Sequence, residues 1–369
     1  MAGAPARRPY IRPVTHGRAV RPVATPGPPG TEVPCNMTAA SHDDERTLVR
    51  PTSPAASAPA PAVPLPGLVA PIRRRSWRDT VAAYVVLTKP RVVELLLVTT
   101  VPTMVLAAGG LPPWGLLAAT LVGGALAAGS ANTLNCWFDR DIDAVMHRTR
   151  RRATATGQIG PAATLTFAAV LGIVALSVLW FAVNPISALF AAAAIAIYVV
   201  GYTMLLKRRT PQNIVWGGAA GCMPVLIGWS AVTGGVSWAA LLLFGVVFFW
   251  TPPHYWPLSM KFRADYAAAG VPMLPVVARD TQVATQMVGY ALAMVACSLL
   301  LVPVAGMTWV YAVAAGALGA WFLGSCVSLL RQARDPEHHK VRALRVFHHS
   351  ITYLTLLSVA VVVDVFLPL

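Results

Sequence analysis

The sequence has few charged residues and no pattern of paired cysteines. Charged side chains make up 12% of the 369 residues, whereas a soluble globular domain has about 25%. The five cysteines are scattered without a CxxC pair, which speaks against a disulfide framework or a zinc site. Residues 1–72 contain no apolar stretch of the kind that a secretory signal needs. We therefore expect neither a soluble, a disulfide-stabilised nor a zinc-binding protein.

Long apolar stretches fill most of the chain instead. Hydrophobic residues make up 56% of it, and the mean hydropathy is +0.61. From Val92 onward, apolar stretches of about 20 residues recur, and each is about long enough to cross a bilayer. We predict an all-α polytopic membrane protein. Its nine predicted spans lie at about 91–110, 116–137, 161–182, 187–206, 214–232, 238–256, 282–304, 309–330 and 347–367.

The net charge of +15 comes from lysine and arginine residues that lie on one side of the predicted spans. We therefore expect the lipid bilayer, and no nucleic acid, as a partner. Lysine and arginine fall in the N-terminal region and in the loops at 138–160, 207–213, 257–281 and 331–346, and the opposite loops carry none. The positive-inside rule then predicts a cytoplasmic N-terminus and an outside C-terminus. We expect the plasma membrane of a bacterium, with the mitochondrial inner membrane as the alternative.

The N-terminal region has a different composition from the rest. Residues 1–72 hold 15 of the 31 prolines, a composition that cannot bury a core, so we expect a disordered cytoplasmic tail. Residues 1–31 contain arginine and no acids, as in a mitochondrial transit peptide, but the proline density argues against the amphipathic helix that such a peptide needs. Residues 73–369 form the predicted membrane-embedded domain.

A polar block stands where the second predicted span meets water. Asn135, Asp139 and Asp143 follow one another at intervals of four residues, so on a helix they would share one face. We expect Arg148 and Arg152 to continue that spacing. Acids and an amide at this depth are expensive unless something binds them, and the positive-inside rule does not require carboxylates. One or two carboxylates with phosphate oxygens are typical Mg²⁺ ligands. The block predicts a magnesium–diphosphate site.

Further polar residues are predicted to reach the same membrane face. Asp265, from a later loop, is a candidate for a second metal contact. The candidate phosphate-binding cations are Arg148, Arg152, Lys207 and Arg208, since arginine matches phosphate geometry and lysine adds a point charge. Tyr198 and Tyr202 share one helix face and could shelter a cation. A diphosphate site below an apolar cavity indicates a polyprenyl diphosphate as substrate.

Several segments resemble one enzyme family. The Asn-x₃-Asp-x₃-Asp block followed by RTRRR resembles the intramembrane aromatic prenyltransferase superfamily. KRRTPQNIVWGGAAG, GWSAVTG, WTPPHYW, DYAAAGVPMLPVV and VFHHSITYL resemble its heme O synthase branch, in that order along the chain. The similarity runs from about Leu87 to the C-terminus. Lys261 stands four residues before Asp265, where the superfamily often has a second aspartate.

The resemblance implies a reaction and a set of roles. Farnesyl diphosphate would alkylate a vinyl group of heme b, with addition of water, in a central cavity among nine helices that opens to the cytoplasm. Mg²⁺ would be required, and a downstream heme A synthase is a possible partner. The metal–diphosphate role would fall to Asn135, Asp139, Asp143, Arg148, Arg152, Lys207, Arg208 and Asp265, with Tyr266 beside Asp265 in the second loop.

His254, in PPHYW, is a further hypothesis, as a contact to heme iron or an orienter of the porphyrin. Its alternative is a packed interfacial histidine. Two other functions stay open for the whole chain. One is prenylation of another aromatic acceptor such as a quinone precursor, against which WTPPHYW and DYAAAGVPML argue. The other is a transporter or scaffold, which predicts acids near the bilayer midplane and an inverted repeat.

Overall fold

The fold is helical, without a strand among the residues described. A computed structural model describes residues 76–335 and 342–367. The predicted tail at 1–72 lies outside this part, so its separation from the membrane domain stays a prediction. The helices are α1 (Trp77–Leu87), α2 (Pro90–Ala108), α3 (Trp114–Phe138), α4 (Arg140–Val145), α5 (Pro161–Ala182), α6 (Pro185–Ala196) with a following π-helix (Ile197–Leu206), α7 (Asn213–Thr233), α8 (Trp238–Lys261), α9 (Arg263–Ala268), α10 (Leu274–Val277), α11 (Asp280–Ala305), α12 (Trp309–Arg334) and α13 (Ala343–Val365).

A helix occupies the position of each predicted span. Among the described residues, seven helices are long and apolar enough to cross a membrane: α3, α5, α6 with the π-helix, α7, α11, α12 and α13. The other two positions hold α2, whose shorter apolar part is Val98–Ala108, and the proline-rich α8. The chain is thus a multi-pass membrane protein, and the crossing by α2 and α8 stays a prediction.

The outer surface of the helices is apolar. Phe181 is 85% exposed, Leu189 67% and Ile173 66%, and Val313 on α12 is 62% exposed. Soluble monomers rarely expose apolar patches on this scale, because water penalises them. These exposed side chains suit contact with the lipid acyl chains of a membrane.

Small residues allow α3 to pack closely against α5. A Cβ at Gly123 would come within 2.6 Å of Leu179 Cγ, so a larger residue there would push the two helices apart. Ser130 Oγ donates a hydrogen bond of 2.8 Å to the carbonyl of Ala168 across the same interface. Such close approach is how helices associate in lipid, where no hydrophobic force between helices exists.

The end of α3 differs from the prediction. The helix stops at Phe138, because Asp139 takes φ −90° and ψ 5°, and α4 covers six residues before an extended Met146 ends it. Asp143 follows Asp139 one turn later, as predicted. The expectation that Arg148 and Arg152 continue the helical spacing is wrong: both lie in the turns after α4.

A π-helix follows α6. In Ile197–Leu206 the backbone hydrogen bonds reach one residue further than in an α-helix, as from the Lys207 amide to the Tyr202 carbonyl at 2.8 Å. The Thr203 side-chain hydroxyl donates to the Tyr198 carbonyl at 2.9 Å. The widened turn stacks the rings of Tyr198 and Tyr202, with centroids 5.6 Å apart. π-Helical turns occur frequently at functional sites.

Three prolines lie inside α8 without ending it. Pro252, Pro253 and Pro257 each remove a backbone donor, yet the helix continues to Lys261. Neighbouring side chains supply polar contacts along this stretch. Thr251 Oγ1 donates to the Val247 carbonyl at 2.9 Å, a bond of the type that accompanies prolines in membrane helices.

A carboxylate joins α13 to the start of α12 at the far end of the helices from the polar block. Asp364 is 6% exposed and accepts hydrogen bonds from the amides of Thr308 at 3.0 Å and Tyr311 at 3.2 Å, and from the Thr308 hydroxyl. These amides belong to the first turn of α12 and have no intrahelical partner. Asp364 therefore caps a neighbouring helix.

We predict that Asp364→Ala lowers the free energy of unfolding by about 1–2 kcal/mol, the usual cost of losing a helix cap. Thermal unfolding of the purified protein in detergent measures this. Asp364→Asn keeps one oxygen acceptor, so its loss should be smaller. An alanine variant that unfolds at the wild-type temperature would contradict the assignment of Asp364 as a cap.

Candidate active site

A cavity of about 880 Å³ lies among α2, α3, the π-helix, α7, α8 and α13. Its volume falls within the range of about 300–1,000 Å³ that small-molecule sites occupy. Most of its wall is apolar. The polar end of the cavity is the set Lys89, Asn135, Asp143, Arg148, Arg152 and Lys207. An apolar chamber with charges gathered at one end suits an amphiphilic substrate.

Asn135 links the polar side chains of three elements. Its amide nitrogen donates to Asp139 Oδ2 at 2.7 Å and to Thr203 Oγ1 at 3.1 Å, and its oxygen accepts from Lys89 Nζ at 2.7 Å. Lys207 Nζ donates to the same Asp139 oxygen at 2.5 Å. The last turn of α3, the π-helix and the start of α2 are thereby tied together by one amide.

Asp139 has one carboxylate oxygen without a partner. The residue is 0% exposed, and Oδ1 makes no hydrogen bond, while Oδ2 takes both the Asn135 and the Lys207 bonds. Leaving a buried charged acceptor unsatisfied is costly, so such an atom in a native fold requires an explanation. A divalent cation is a fitting partner for it, because Mg²⁺ prefers carboxylate oxygens.

Asp143, one turn later, lines the cavity, which Asp139 does not, and its carboxylate is also paired with a basic side chain. It is 2% exposed, and Arg152 Nη1 lies 2.8 Å from each of its two oxygens. Burial disfavours the charged form of Arg152, but the Asp143 carboxylate beside it outweighs this and raises the pKa of Arg152 above its ordinary value. The Thr149 hydroxyl donates to the Asp143 carbonyl at 3.2 Å. This bond stabilises the turn that returns Arg152 to the Asp143 side chain.

The two carboxylates do not form a complete metal site. No group of three or more His, Cys, Asp or Glu side chains with suitable placement occurs in residues 76–335 and 342–367. Mg²⁺ often binds through one or two carboxylates while substrate phosphate oxygens and water fill the other positions. The donor set fits a cation that is bound together with a phosphorylated substrate.

The second loop meets the polar block from the other side. Arg148 Nη2 lies 3.4 Å from the Tyr266 hydroxyl. The backbone amide of Arg148 donates to Asp265 Oδ2 at 3.4 Å. The Tyr266 hydroxyl is also 2.9 Å from that of Tyr255, and burial raises the pKa of Tyr266. Tyr266 and Tyr255 line the cavity, whereas Asp265 does not. The structure thus brings Asp265 beside Arg148 but leaves it outside the cavity wall.

Arg208 lies apart from the other predicted phosphate-binding cations. Both of its terminal nitrogens lie 2.7 Å from the carboxylate of Asp141, and one donates to the Phe138 carbonyl at 3.1 Å. The Arg208 hydrogen bonds lower the pKa of Asp141 to about 2. Arg208 does not line the cavity. Its visible role is to hold the junction of α3 and α4, on the face opposite Asp139 and Asp143.

His254 lies in the apolar part of the cavity wall. Its ring stacks on Trp250, with centroids 4.1 Å apart, and on Phe347 at 4.8 Å. Nδ1 is 2.8 Å from the Ser350 hydroxyl on α13, so the imidazole is held by one nitrogen and the other is left for the cavity. Tyr198 and Tyr202 also line the cavity, and Lys207 Nζ lies 6.0 Å from the centroid of the Tyr202 ring.

Lys89 is a site residue that the sequence analysis missed. It takes a left-handed conformation, with φ 54°, directly before the first proline of α2, and Asn132 Nδ2 holds the preceding Thr88 carbonyl at 3.0 Å. Burial lowers the pKa of Lys89. The Lys89–Pro90 pair at the start of a span was a possible sign that Lys89 belongs to the site. A lysine in this position is equally expected in an amphipathic helix at the membrane surface. His348 also lines the cavity.

Comparisons with known proteins agree with this geometry. The model of the UbiA prenyltransferase family matches residues 96–351. The chain belongs to this family. Proteins named protoheme IX farnesyltransferase from Kineococcus radiotolerans and Frankia casuarinae are 58% identical over 311 residues and 62% identical over 280. These alignments cover 80% and 76% of this chain and 92% and 96% of the relatives. The resemblance inferred from the motifs is confirmed.

Solved structures of the family share the fold. A digeranylgeranylglyceryl phosphate synthase has a TM-score of 0.65 at 16% identity and matches over 78% of this chain and 99% of its own. A UbiA homolog from Archaeoglobus fulgidus, bound to DMAPP and Mg²⁺, has a TM-score of 0.55 at 16% identity, over 76% and 99% of the two chains. The predicted all-helical membrane fold is confirmed.

The position of Tyr202 depends on a glycine in α7. A Cβ at Gly217 would lie 2.3 Å from Tyr202 Cδ2, a distance that real contacts do not show. We predict that Gly217→Ala displaces the tyrosine ring and lowers the midpoint of thermal unfolding. Gly221→Ala, one turn away on the same cavity-facing helix, is the matched control, since nothing lies within 4 Å of its Cβ. Equal midpoints for the two variants would disprove this packing argument.

Proposed function

We propose that this chain transfers the farnesyl group of farnesyl diphosphate to a vinyl group of heme b, giving heme O and diphosphate. The observation that carries the proposal is the row of buried acidic and basic side chains at one end of an apolar cavity, on a chain that is about 60% identical to proteins named protoheme IX farnesyltransferase. The name of those relatives supplies the acceptor and the donor. The cavity geometry supports the amphiphilic donor.

The polar end would hold the diphosphate. We infer that Asn135, Asp139 and Asp143 bind Mg²⁺, which when bound would neutralise phosphate charge and make the diphosphate a better leaving group. Lys207 and Arg152 now neutralise the two carboxylates at 2.5 and 2.8 Å. With those oxygens bound to a metal, both cationic side chains would be free to donate to phosphate oxygens instead.

Lys89 and Arg148 extend this set of donors around the cavity end, and Tyr266 supplies a neutral hydroxyl beside Arg148. Charge that develops on the departing diphosphate would be stabilised by groups that are already in place, which is a large term in many enzymes. Asp265 would act through the Arg148 backbone or as a second metal contact. Arg208, outside the cavity, would act by holding the junction of α3 and α4 through Asp141.

The reaction would proceed at the boundary of the polar end and the apolar wall. The carbon–oxygen bond of farnesyl diphosphate breaks, and diphosphate leaves with the bonding electrons. Tyr198 and Tyr202 present stacked ring faces there, which stabilise an allylic cation. The vinyl π-electrons of heme b then form the new carbon–carbon bond. Water adds to the resulting benzylic-type cation and loses a proton, which leaves the hydroxyl group.

His254 would position the porphyrin. The Ser350 hydroxyl and the stacked Trp250 and Phe347 rings fix the imidazole at the cavity wall. One nitrogen is thereby engaged and the other is available to heme iron, an arrangement that metal-binding histidines commonly show. An iron contact at His254 would hold the vinyl group at a fixed distance from the tyrosine pair.

The polar end would face the cytoplasm of a bacterial cell. This orientation rests on the distribution of lysine and arginine between the two sets of loops. Farnesyl diphosphate, a charged and water-exposed molecule at its diphosphate end, would then reach the site from the cytoplasmic side. The product would pass to a heme A synthase, or to a terminal oxidase that uses heme O directly.

We predict that Asp139→Asn and Asp143→Asn each lower the rate of heme O formation by about a hundredfold or more, because each removes a charged metal ligand at the leaving group. Membranes are incubated with farnesyl diphosphate and Mg²⁺ and with either heme b or 4-hydroxybenzoate, and the products are analysed. Chelation with EDTA should abolish the reaction, and added Mg²⁺ should restore it.

Asp141→Asn is the matched control, because Asp141 lies on the same short segment but pairs with Arg208 outside the cavity. It should retain most of the activity. Unchanged activity in both the Asp139 and Asp143 variants would overturn the metal assignment. Prenylation of 4-hydroxybenzoate in place of heme b would overturn the acceptor assignment and leave the diphosphate site standing.

We predict that His254→Ala weakens binding of heme b by about tenfold or more and shifts its Soret absorption, since an iron ligand would be lost. His147→Ala, at an exposed position outside the cavity, is the control and should change neither. Titration of heme b into the purified protein, followed by absorption spectroscopy, measures both effects. Normal binding and conversion of heme b by His254→Ala would remove the iron contact from the mechanism.

A further inference from the structure

A second cavity lies on the other face of α13. It has a volume of about 250 Å³ and is formed by the last turns of α12 and the first turns of α13. Phe347 and His348 point to the large cavity, whereas the next residue, His349, lines the small one. The small cavity therefore takes no part in the prenyl or heme site.

The small cavity gathers positive charge. Arg342 and Arg345, three residues apart, stand at its rim, and His349 lies one turn further along the same helix face. Its lining contains no acidic residue. Within the described part of the chain, neither guanidinium forms an ion pair with a carboxylate. Like charges held together at a membrane surface repel one another, unless an anion lies between them.

Hydrogen bonds between polar side chains of α12 and α13 fix the walls of the small cavity. The Gln332 side-chain oxygen accepts from the Arg342 amide at 3.1 Å, which joins the end of α12 to the start of α13. Ser325 Oγ lies 2.7 Å from His349 Nδ1 and 3.1 Å from the Trp321 carbonyl. Because the Ser325 hydroxyl donates to Trp321, His349 Nδ1–H donates to Ser325 Oγ, and this bond fixes the imidazole on the cavity wall.

An aromatic side chain closes the lipid side of the cavity. Trp321 is 40% exposed, and its ring lies against His349 with centroids 4.5 Å apart. Trp321 stands near the middle of α12 (Trp309–Arg334), so its ring lies deeper in the bilayer than the last turn of that helix, at the level of the acyl chains. An anion in this cavity would have fixed cations on one side and an acyl-chain environment on the other.

We propose that this cavity binds the phosphate group of an anionic phospholipid. Arg342 and Arg345 match phosphate oxygens with their planar donors, and Trp321 would contact the acyl chains. Basic pockets between membrane helices on the cytoplasmic side are a recognised type of lipid headgroup site. A bound lipid would hold α12 and α13 together next to the wall that carries Phe347 and His348.

The test uses the full chain purified in neutral detergent. Phosphatidylglycerol, phosphatidylcholine or inorganic phosphate is added, and retained lipid is counted by native mass spectrometry. The R342Q/R345Q variant is compared with R331Q/R334Q, which removes the same charge from exposed positions of α12 outside the cavity. We expect the first variant to retain phosphatidylglycerol at least about tenfold more weakly and the second to retain it as the wild type does.

Other outcomes would overturn the proposal. They are equal retention by R342Q/R345Q and the wild type, equal retention of phosphatidylcholine, and displacement of the lipid by equimolar inorganic phosphate, which would indicate a site for free phosphate. If the double variant does not purify in a folded state, the single variant R345Q decides, with an expected loss of about fivefold. Heme O formation is measured beside it, so that failure of the lipid site is distinguished from failure of the prenyl site.

Discussion

The structure depends on the neutralisation of two carboxylates that lie at the edge of a membrane-embedded cavity. Asp139 and Asp143 are both almost completely buried, and a charge in such a place is tolerated only if it is paired and hydrogen-bonded. Lys207 and Arg152 supply the counter-charges. Under the proposed function, a divalent cation would bind these carboxylates, and the two basic side chains would be free to bind a phosphate.

Departures from regular α-helix bring these groups together. The break at Asp139 turns α4 away from α3, so that the chain can fold back and return Arg152 to Asp143. The π-helix widens one turn opposite that break, and places Lys207 against Asp139 and the Tyr198–Tyr202 pair above them. A regular helix in either place would separate the opposite charges.

The cavity separates two kinds of chemistry along its length. Its polar end gathers acidic and basic side chains, which in the proposed reaction would stabilise a departing diphosphate, whereas its apolar wall would shelter an allylic cation and carries the imidazole of His254. The similarity to solved structures concerns the fold, since identity is 16%. The acceptor is inferred from relatives that share more than half of the aligned residues over 76–80% of this chain.

The sequence by itself determined the helical membrane fold, the helix positions and the family, because apolar length and motif order are properties of consecutive residues. It also predicted that Asn135, Asp139 and Asp143 lie close together. Only the tertiary structure decided that Arg148 and Arg152 lie in turns, that Arg208 pairs with Asp141 outside the cavity, and that Lys89 belongs to the site. Those outcomes depend on where distant elements meet, and helical spacing within one segment carries no information about the partner that another segment brings to it.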